Sequence, residues 1–254
     1  GMTGGTNRAA QINRALSEVA ERCGYGFGLG SQRAMQRVPS TEDTYQVRES
    51  APSALVLGNI GVIQARDMST QELRALVERV GADALCVHMN PTMELIQSDG
   101  DRDFRGSLAT YQRLSAELGF PVVAKETGCG ISLHTARALK SVGIHAVDVS
   151  GAGGTSWAGV EALRAKPENR ALGQVLWDWG IPTAVSVAWC SRTELTTIAT
   201  GGIRHGLDVA AAISLGATAV GIARPVLQVF TEKGQEGVEV FLKEVEQQLK
   251  AIML

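Results

Sequence analysis

Thr196-Thr197-Ile198-Ala199-Thr200-Gly201-Gly202-Ile203-Arg204 is the run whose reading decides the fold. Its β-favouring residues stop at two glycines, and an apolar-periodic stretch, Leu207 to Leu215, follows. The device then repeats. Ala219 to Ala223 reads as a strand and closes in Gly221-Ile222-Ala223-Arg224-Pro225. Glycines at a strand end let backbone N–H groups close on an anion, and a helix N-terminus adds a favourable dipole. Two such ends in succession are what a (β/α)8 barrel presents as a phosphate site after its last two strands.

The same alternation extends upstream. Strands are predicted over Gly26 to Leu29, Leu55 to Leu57, Ala84 to Met89, Pro121 to Lys125 and Ala146 to Val149. Helices are predicted over Thr6 to Arg22, Ser69 to Val80, Leu108 to Leu118, Leu133 to Val142, Glu168 to Trp179 and about Glu236 to Ile252. Ser69 or Thr70 can cap the second of these, with Glu72 close behind. Pro182 to Val187 is ambiguous. The glycine runs at Gly24 to Gly30 and Gly151 to Gly154 lack G-x-G-x-x-G spacing, which argues against a dinucleotide-binding open sheet. The expected fold is therefore a TIM barrel formed as one domain over residues 1–254. Seven strands are complete, and Met2-Thr3 reads as the end of a first strand whose beginning, with an N-terminal segment, would precede Gly1.

Composition narrows the function. The 254 residues carry 24 Lys+Arg against 26 Asp+Glu, a net charge of −2, which gives no reason to expect nucleic acid or an anionic membrane as partner. No apolar run approaches the roughly 18 residues of a membrane span. Cys23, Cys86, Cys129 and Cys190 are scattered, as in a reduced cytoplasmic protein.

Function in a barrel sits where strands end. Ser150-Gly151-Ala152-Gly153-Gly154-Thr155-Ser156 offers hydroxyls and flexible N–H groups for a second share of the phosphate site. Lys125 ends its strand and can form a Schiff base or place a positive charge beside an electron-rich ring. His88 and Asn90, two apart, point to one face, and Glu94 follows as a carboxylate that could help hold Mg²⁺ beside substrate phosphates. Asp99 to Gly106 is a charged loop, either self-paired or a lid. Trp177, Trp179 and Trp189 are expected to pack between helix and barrel.

Taken together, Met2-Thr3-Gly4-Gly5, Gly28-Leu29-Gly30-Ser31-Gln32-Arg33, Leu57-Gly58-Asn59, His88-x-Asn90-Pro91, Gly100-Asp101-Arg102-Asp103, Val149 to Thr155, Trp179-Gly180-Ile181-Pro182-Thr183 and Gly201 to Arg204 resemble the type II isopentenyl-diphosphate Δ-isomerases. The resemblance implies FMN as cofactor, with Met2, Thr3, Ser31, Asn59 and Lys125 contacting the flavin. Ser150, Thr155, Gly202, Ile203, Arg204, Ala223 and Arg224 would line its phosphate site. Gln32, Arg33, His88 and Asn90 would face an isoprenoid diphosphate, and Glu94 would hold Mg²⁺. It further implies NAD(P)H as flavin reductant and a cytoplasmic homo-tetramer or octamer. The implied reaction interconverts isopentenyl and dimethylallyl diphosphate, with reduced flavin as acid/base. His88 and the residue at position 93 would stand at the reacting carbons. The family has Gln there and this chain has Met93, whose thioether donates no hydrogen bond. Two alternatives follow: a flavin-binding paralogue with weak or no isomerase activity, or another FMN-dependent oxidoreductase. For 2-hydroxy-acid oxidases and dehydrogenases, no convincing His-Arg pair is found.

Overall fold

The computed structural model describes residues 3–254. Its strands are β1 (Phe27–Gly28), β2 (Val56–Gly61), β3 (Ala84–His88), β4 (Val122–Lys125), β5 (Ala146–Asp148), β6 (Thr196–Ala199) and β7 (Ala219–Val220). They form one parallel sheet in chain order, curled as part of a (β/α)8 barrel. Every crossover carries helix or loop on the outer face, so that face is apolar and holds the core. Val56, Ile60, Leu85, Val87, Ala124 and Val147 are buried against the helix layer.

The helices are α1 (Asn7–Cys23), α2 (Arg33–Arg37), α3 (Val62–Asp67), α4 (Thr70–Arg79), α5 (Pro91–Ile96), α6 (Ser107–Glu117), α7 (Leu133–Ser141), α8 (Trp157–Arg164), α9 (Pro167–Val175), α10 (Thr183–Ser191), α11 (Gly206–Ser214) and α12 (Arg224–Ile252). Ser69 caps α4 in a full capping box: its hydroxyl takes the Glu72 N–H, and the Glu72 carboxylate returns to the Ser69 N–H at 2.7 Å. Such a cap contributes about 1 kcal/mol.

The ambiguous stretch after Pro182 is helical, as α10. The short helices α2, α3 and α5 follow strand ends and carry too few residues to show a period. Helix α8 was masked for a different reason: Gly159 lowers its helix propensity. That glycine lies under the Trp177 indole, and Gly173 of α9 lies against Ala162, leaving no room for a Cβ at either. The two glycines let α8 and α9 cross closely. The last helix begins at Arg224, earlier than expected, and is broken at Gly234, where φ is 65°.

β1 and β7 are the two ends of the sheet among the described residues. The helix layer is continuous across them. Gln235 of α12 donates to Ala15 O of α1 at 2.9 Å, and Tyr25 reaches Glu246. Thr3 lies beside the end of β1, where its carbonyl accepts the Gly30 N–H at 3.1 Å. That is the side on which the expected first strand would stand; Met2 lies outside the described residues.

Candidate active site

The parallel register aligns the strand ends. Gly61 pairs with His88, His88 with Lys125, and Lys125 with Asp148. Residues in register share a face, so His88, Lys125 and Asp148 stand side by side on the inner face at the mouth. Lys125 Nζ lies 2.6 Å from Asp148 Oδ2, with side chains 15% and 11% exposed. Asp148 Oδ1 accepts the Ser150 N–H at 3.2 Å and the Thr200 hydroxyl. One carboxylate thus ties together the ends of β4, β5 and β6.

His88 Nδ1 sits 2.8 Å from Asn59 Oδ1. The Asn59 amide is oriented by its Nδ2 donating to Leu29 O at 3.1 Å. Its oxygen therefore faces the ring, which makes Nδ1 the donor and leaves Nε2 with a lone pair. Burial, then the charges of Lys125 and Arg33, push the His88 pKa down to about 4. The imidazole is neutral at pH 7.

Glu126, next to Lys125, is buried. Its Oε2 accepts the N–H groups of Thr127 and Gly128 at 2.7 Å each, and that of Cys129. Burial nevertheless prevails over those bonds and pushes its pKa up to about 7. These two groups act oppositely on stability. The protonated Glu126 contributes stability present below its ordinary value of 4.5 and lost as pH rises through about 7. The neutral His88 contributes stability present above 6.5 and lost as pH falls through about 4. Between about pH 4.5 and 6.5 the slopes cancel. Urea titrations should show wild-type stability flat across that window. The Glu126→Gln variant should instead gain on the order of 3 kcal/mol from its bottom to its top. A flat profile for the variant would refute the assignment.

Glu94 is buried at the first turn of α5. Its Oε1 accepts from Asn90 Nδ2 at 2.7 Å and its Oε2 from the Asp101 N–H at 2.8 Å. Asp101 Oδ2 in turn accepts from Gln64 and lies 3.6 Å from Arg33 Nη2. The charged loop is therefore tied to the mouth at Asp101, while Asp103 and Arg105 pair with each other outside it. Arg33 Nε is buried without a partner.

The expected substrate contact of Gln32 is not supported by its placement. Its side chain is fully buried on the helix side of the sheet. The amide nitrogen donates to Leu76 O of α4 at 3.2 Å, and the oxygen accepts the Asn59 N–H at 2.9 Å. Register explains this: Gly58, whose missing Cβ makes room for Gln32, faces outward between the inward Leu57 and Asn59 neighbours. Gln32 supports Asn59 from behind. Thr3 likewise turns its hydroxyl to Asn13 of α1, and Ser31 offers its carbonyl to the Tyr45 hydroxyl at 2.7 Å.

At the other side of the mouth two glycine loops interlock. Gly201 and Gly202 have φ of 98° and 93°, and a Cβ on either would strike the carbonyl of Gly151 or Gly153. Thr183 Oγ1 donates to Gly201 O, and Arg204 Nη2 to Gly153 O at 2.8 Å. Among the described residues, no acceptor takes the N–H groups of Gly153, Gly154, Gly202 or Ile203. Ser150 holds φ of 35°, a strained value for a residue with a side chain. Thr155 is half-buried beside these N–H groups, and Ala223 and Arg224 are exposed at the start of α12. The Ile203 side chain is in the core, so only its backbone faces the mouth.

A cavity of about 390 Å³ opens beside the glycine loops, lined among others by Met93, Glu126, Cys129, Thr155, Trp157 and Trp179. Met93 thus faces the same space as the glycine loop. Trp177 and Trp179 border the cavity as well, and Trp179 is 64% exposed, so neither is the buried helix-to-barrel filler that was expected. Sequence reading passed over Asp148 and Trp157, and placed Glu126 at a strand end without giving it a role. Asp148 carried a usable signal: it stands two residues before Ser150, level with Lys125 once strand ends are aligned.

Residues 63–254 match the FMN-dependent dehydrogenase family. A solved mandelate oxidase carrying a monooxide FMN adduct superposes with a TM-score of 0.61 over 95% of this chain and 68% of its own, at 18% identity, a likeness of fold. An isopentenyl-diphosphate delta-isomerase of Thermococcus onnurineus is 44% identical over 100% of this chain and 70% of its own length. One from Synechococcus is 46% identical over 99% of this chain and 73% of its own length. The chain is therefore an enzyme belonging to the isopentenyl-diphosphate delta-isomerase family. Among the described residues, no helix is long and apolar enough to cross a membrane.

Proposed function

We propose that this enzyme holds FMN by its phosphate between the 150–155 and 201–204 loops and interconverts isopentenyl and dimethylallyl diphosphate. The observation that carries the reading is the interlocked glycine cradle, whose unspent N–H groups and Arg204 guanidinium suit a phosphate dianion. Ser150, Thr155, Gly202, Ile203, Arg204, Ala223 and Arg224 serve that end, while Asn59, Ser31, Thr3, Met2 and Lys125 serve the ring. When bound and reduced by NAD(P)H, FMN supplies the acid/base function of a double-bond shift.

The chain's own groups do the rest. Arg33, with its buried unpaired Nε, and the Nε2 side of His88 and its neighbour Asn90 serve the diphosphate end. Held neutral, His88 adds no charge, and its Nε2 lone pair can only accept, from a protonated diphosphate oxygen or a bridging water. Met93 and Trp157 wall the space for the branched hydrocarbon and exclude water. Glu94 alone does not build a metal site, and among the described residues no cluster of three or more His, Cys, Asp or Glu side chains could hold one. Each of its oxygens keeps one lone pair beyond its present hydrogen bond. The residues therefore fit Mg²⁺ only as an ion completed by diphosphate oxygens.

Titration with FMN, followed by quenching of flavin fluorescence, tests the cofactor half. One FMN should bind per chain, and Arg204→Ala should weaken binding by about 10- to 100-fold, the worth of a hydrogen bond to a charged group. Proton NMR of isopentenyl diphosphate with the reduced holoenzyme and Mg²⁺ tests the reaction. Met93 favours a second reading, a flavin-binding paralogue with slow isomerisation, and a yellow protein without turnover would select it.

A further inference from the structure

We propose that Asp148 is a positioning residue that sets both the direction and the effective charge of Lys125 toward a bound flavin. This rests on the flavin reading above. Three observations carry it. The Asp148 carboxylate is buried and lies 2.6 Å from Lys125 Nζ. Its second oxygen is held by the Ser150 N–H and the Thr200 hydroxyl, so the carboxylate cannot swing away from the lysine. The three elements it joins, the ends of β4, β5 and β6, are those that frame the proposed cofactor site.

The consequence follows from charge and geometry. An ammonium group has three donors, and Asp148 takes one, which fixes where the other two point. A lone cation at the ring would favour the reduced, more electron-rich flavin over the oxidised one. A carboxylate in contact with that cation cancels much of its field in a buried site. Asp148 therefore holds the flavin's preference for reduction below what Lys125 alone would give. Other charged or titratable groups nearby are His88 on β3, which is neutral, Glu126 beside the lysine, and Cys86 on β3, whose thiol burial pushes up to about 12.

The test is the two-electron reduction potential of bound FMN in the holoenzyme. Asp148→Asn keeps an oxygen for the Thr200 and Ser150 donors but removes the negative charge beside Lys125. The variant should bind reduced FMN about tenfold better relative to oxidised FMN, a positive shift of about 30 mV. Lys125→Met, which leaves the Asp148 charge uncompensated, should shift the potential the other way, and adding Asp148→Asn to it, which removes both charges, should bring the potential back toward the wild-type value. A purely structural role for Asp148 would weaken both flavin forms alike and leave the potential unmoved, which would overturn the proposal. Should Asp148→Asn not fold, Thr200→Val reads the same coupling. Losing the hydroxyl removes one of the two anchors that hold the carboxylate against Lys125, so the pair loosens and the potential should rise; an unchanged value overturns the proposal equally. If the wild-type protein binds no FMN, the flavin reading itself fails and this inference with it. Wild-type binding with an unmoved potential in the variants sinks this inference alone.

Discussion

Gly201→Val should abolish FMN retention and lower the melting temperature. Two effects act on the same residue. Its φ of 98° lies where side chains are strained, and a Cβ would collide with Gly151 O across the loop pair. The strain alone costs about 1–3 kcal/mol, and relieving the collision means pushing the two loops apart. The separation moves the Gly153, Gly154 and Gly202 N–H groups away from a common focus. FMN affinity should fall by at least 100-fold, read by fluorescence quenching. The unliganded protein should melt several degrees lower, at about 2–4 °C per kcal/mol for a domain of this size. A variant that keeps wild-type affinity would show that the phosphate binds elsewhere.

Met93→Gln carries the second large effect. The cavity places residue 93 near Glu126 and Trp157 and beside the glycine loop. A thioether there neither donates nor accepts a proton near neutral pH. A carboxamide would supply a donor and an acceptor at the hydrocarbon end of the substrate. General acid–base groups and the side chains that orient them contribute about 10²- to 10⁴-fold, so turnover should rise by about 10- to 100-fold while FMN affinity stays the same. Unchanged turnover would mean that Met93 does not limit this enzyme, and the slow-paralogue reading would lose its basis.

The parts of the fold legible in the sequence were those written in local chemistry. The Ser69–Glu72 cap sits three residues apart, and each of the longer strands ends in residues that announce a turn. What escaped was written between distant positions. Gly159 hid α8, and although the helix around Gly173 was legible, neither glycine shows a purpose until the crossing of α8 and α9 supplies it. Gln32 looks like a mouth residue until the register of β2 shows that its neighbour Gly58 opens toward the helices. The Lys125–Asp148 pair spans 23 residues and exists only because β4 and β5 are level. Glu126 shows the same limit for chemistry: nothing in its type tells that it is buried and that three N–H groups converge on one of its oxygens.

The row formed by His88, Lys125 and Asp148 also governs which insertions and deletions the gene could tolerate. One residue added within β4 would turn Lys125 toward the helices and leave a buried carboxylate facing nothing. Two residues would restore the face but advance the lysine by about 6.6 Å along the strand, past its partner. Strand length here is a coded distance: a substitution inside a strand leaves the row level, whereas a change of length there does not.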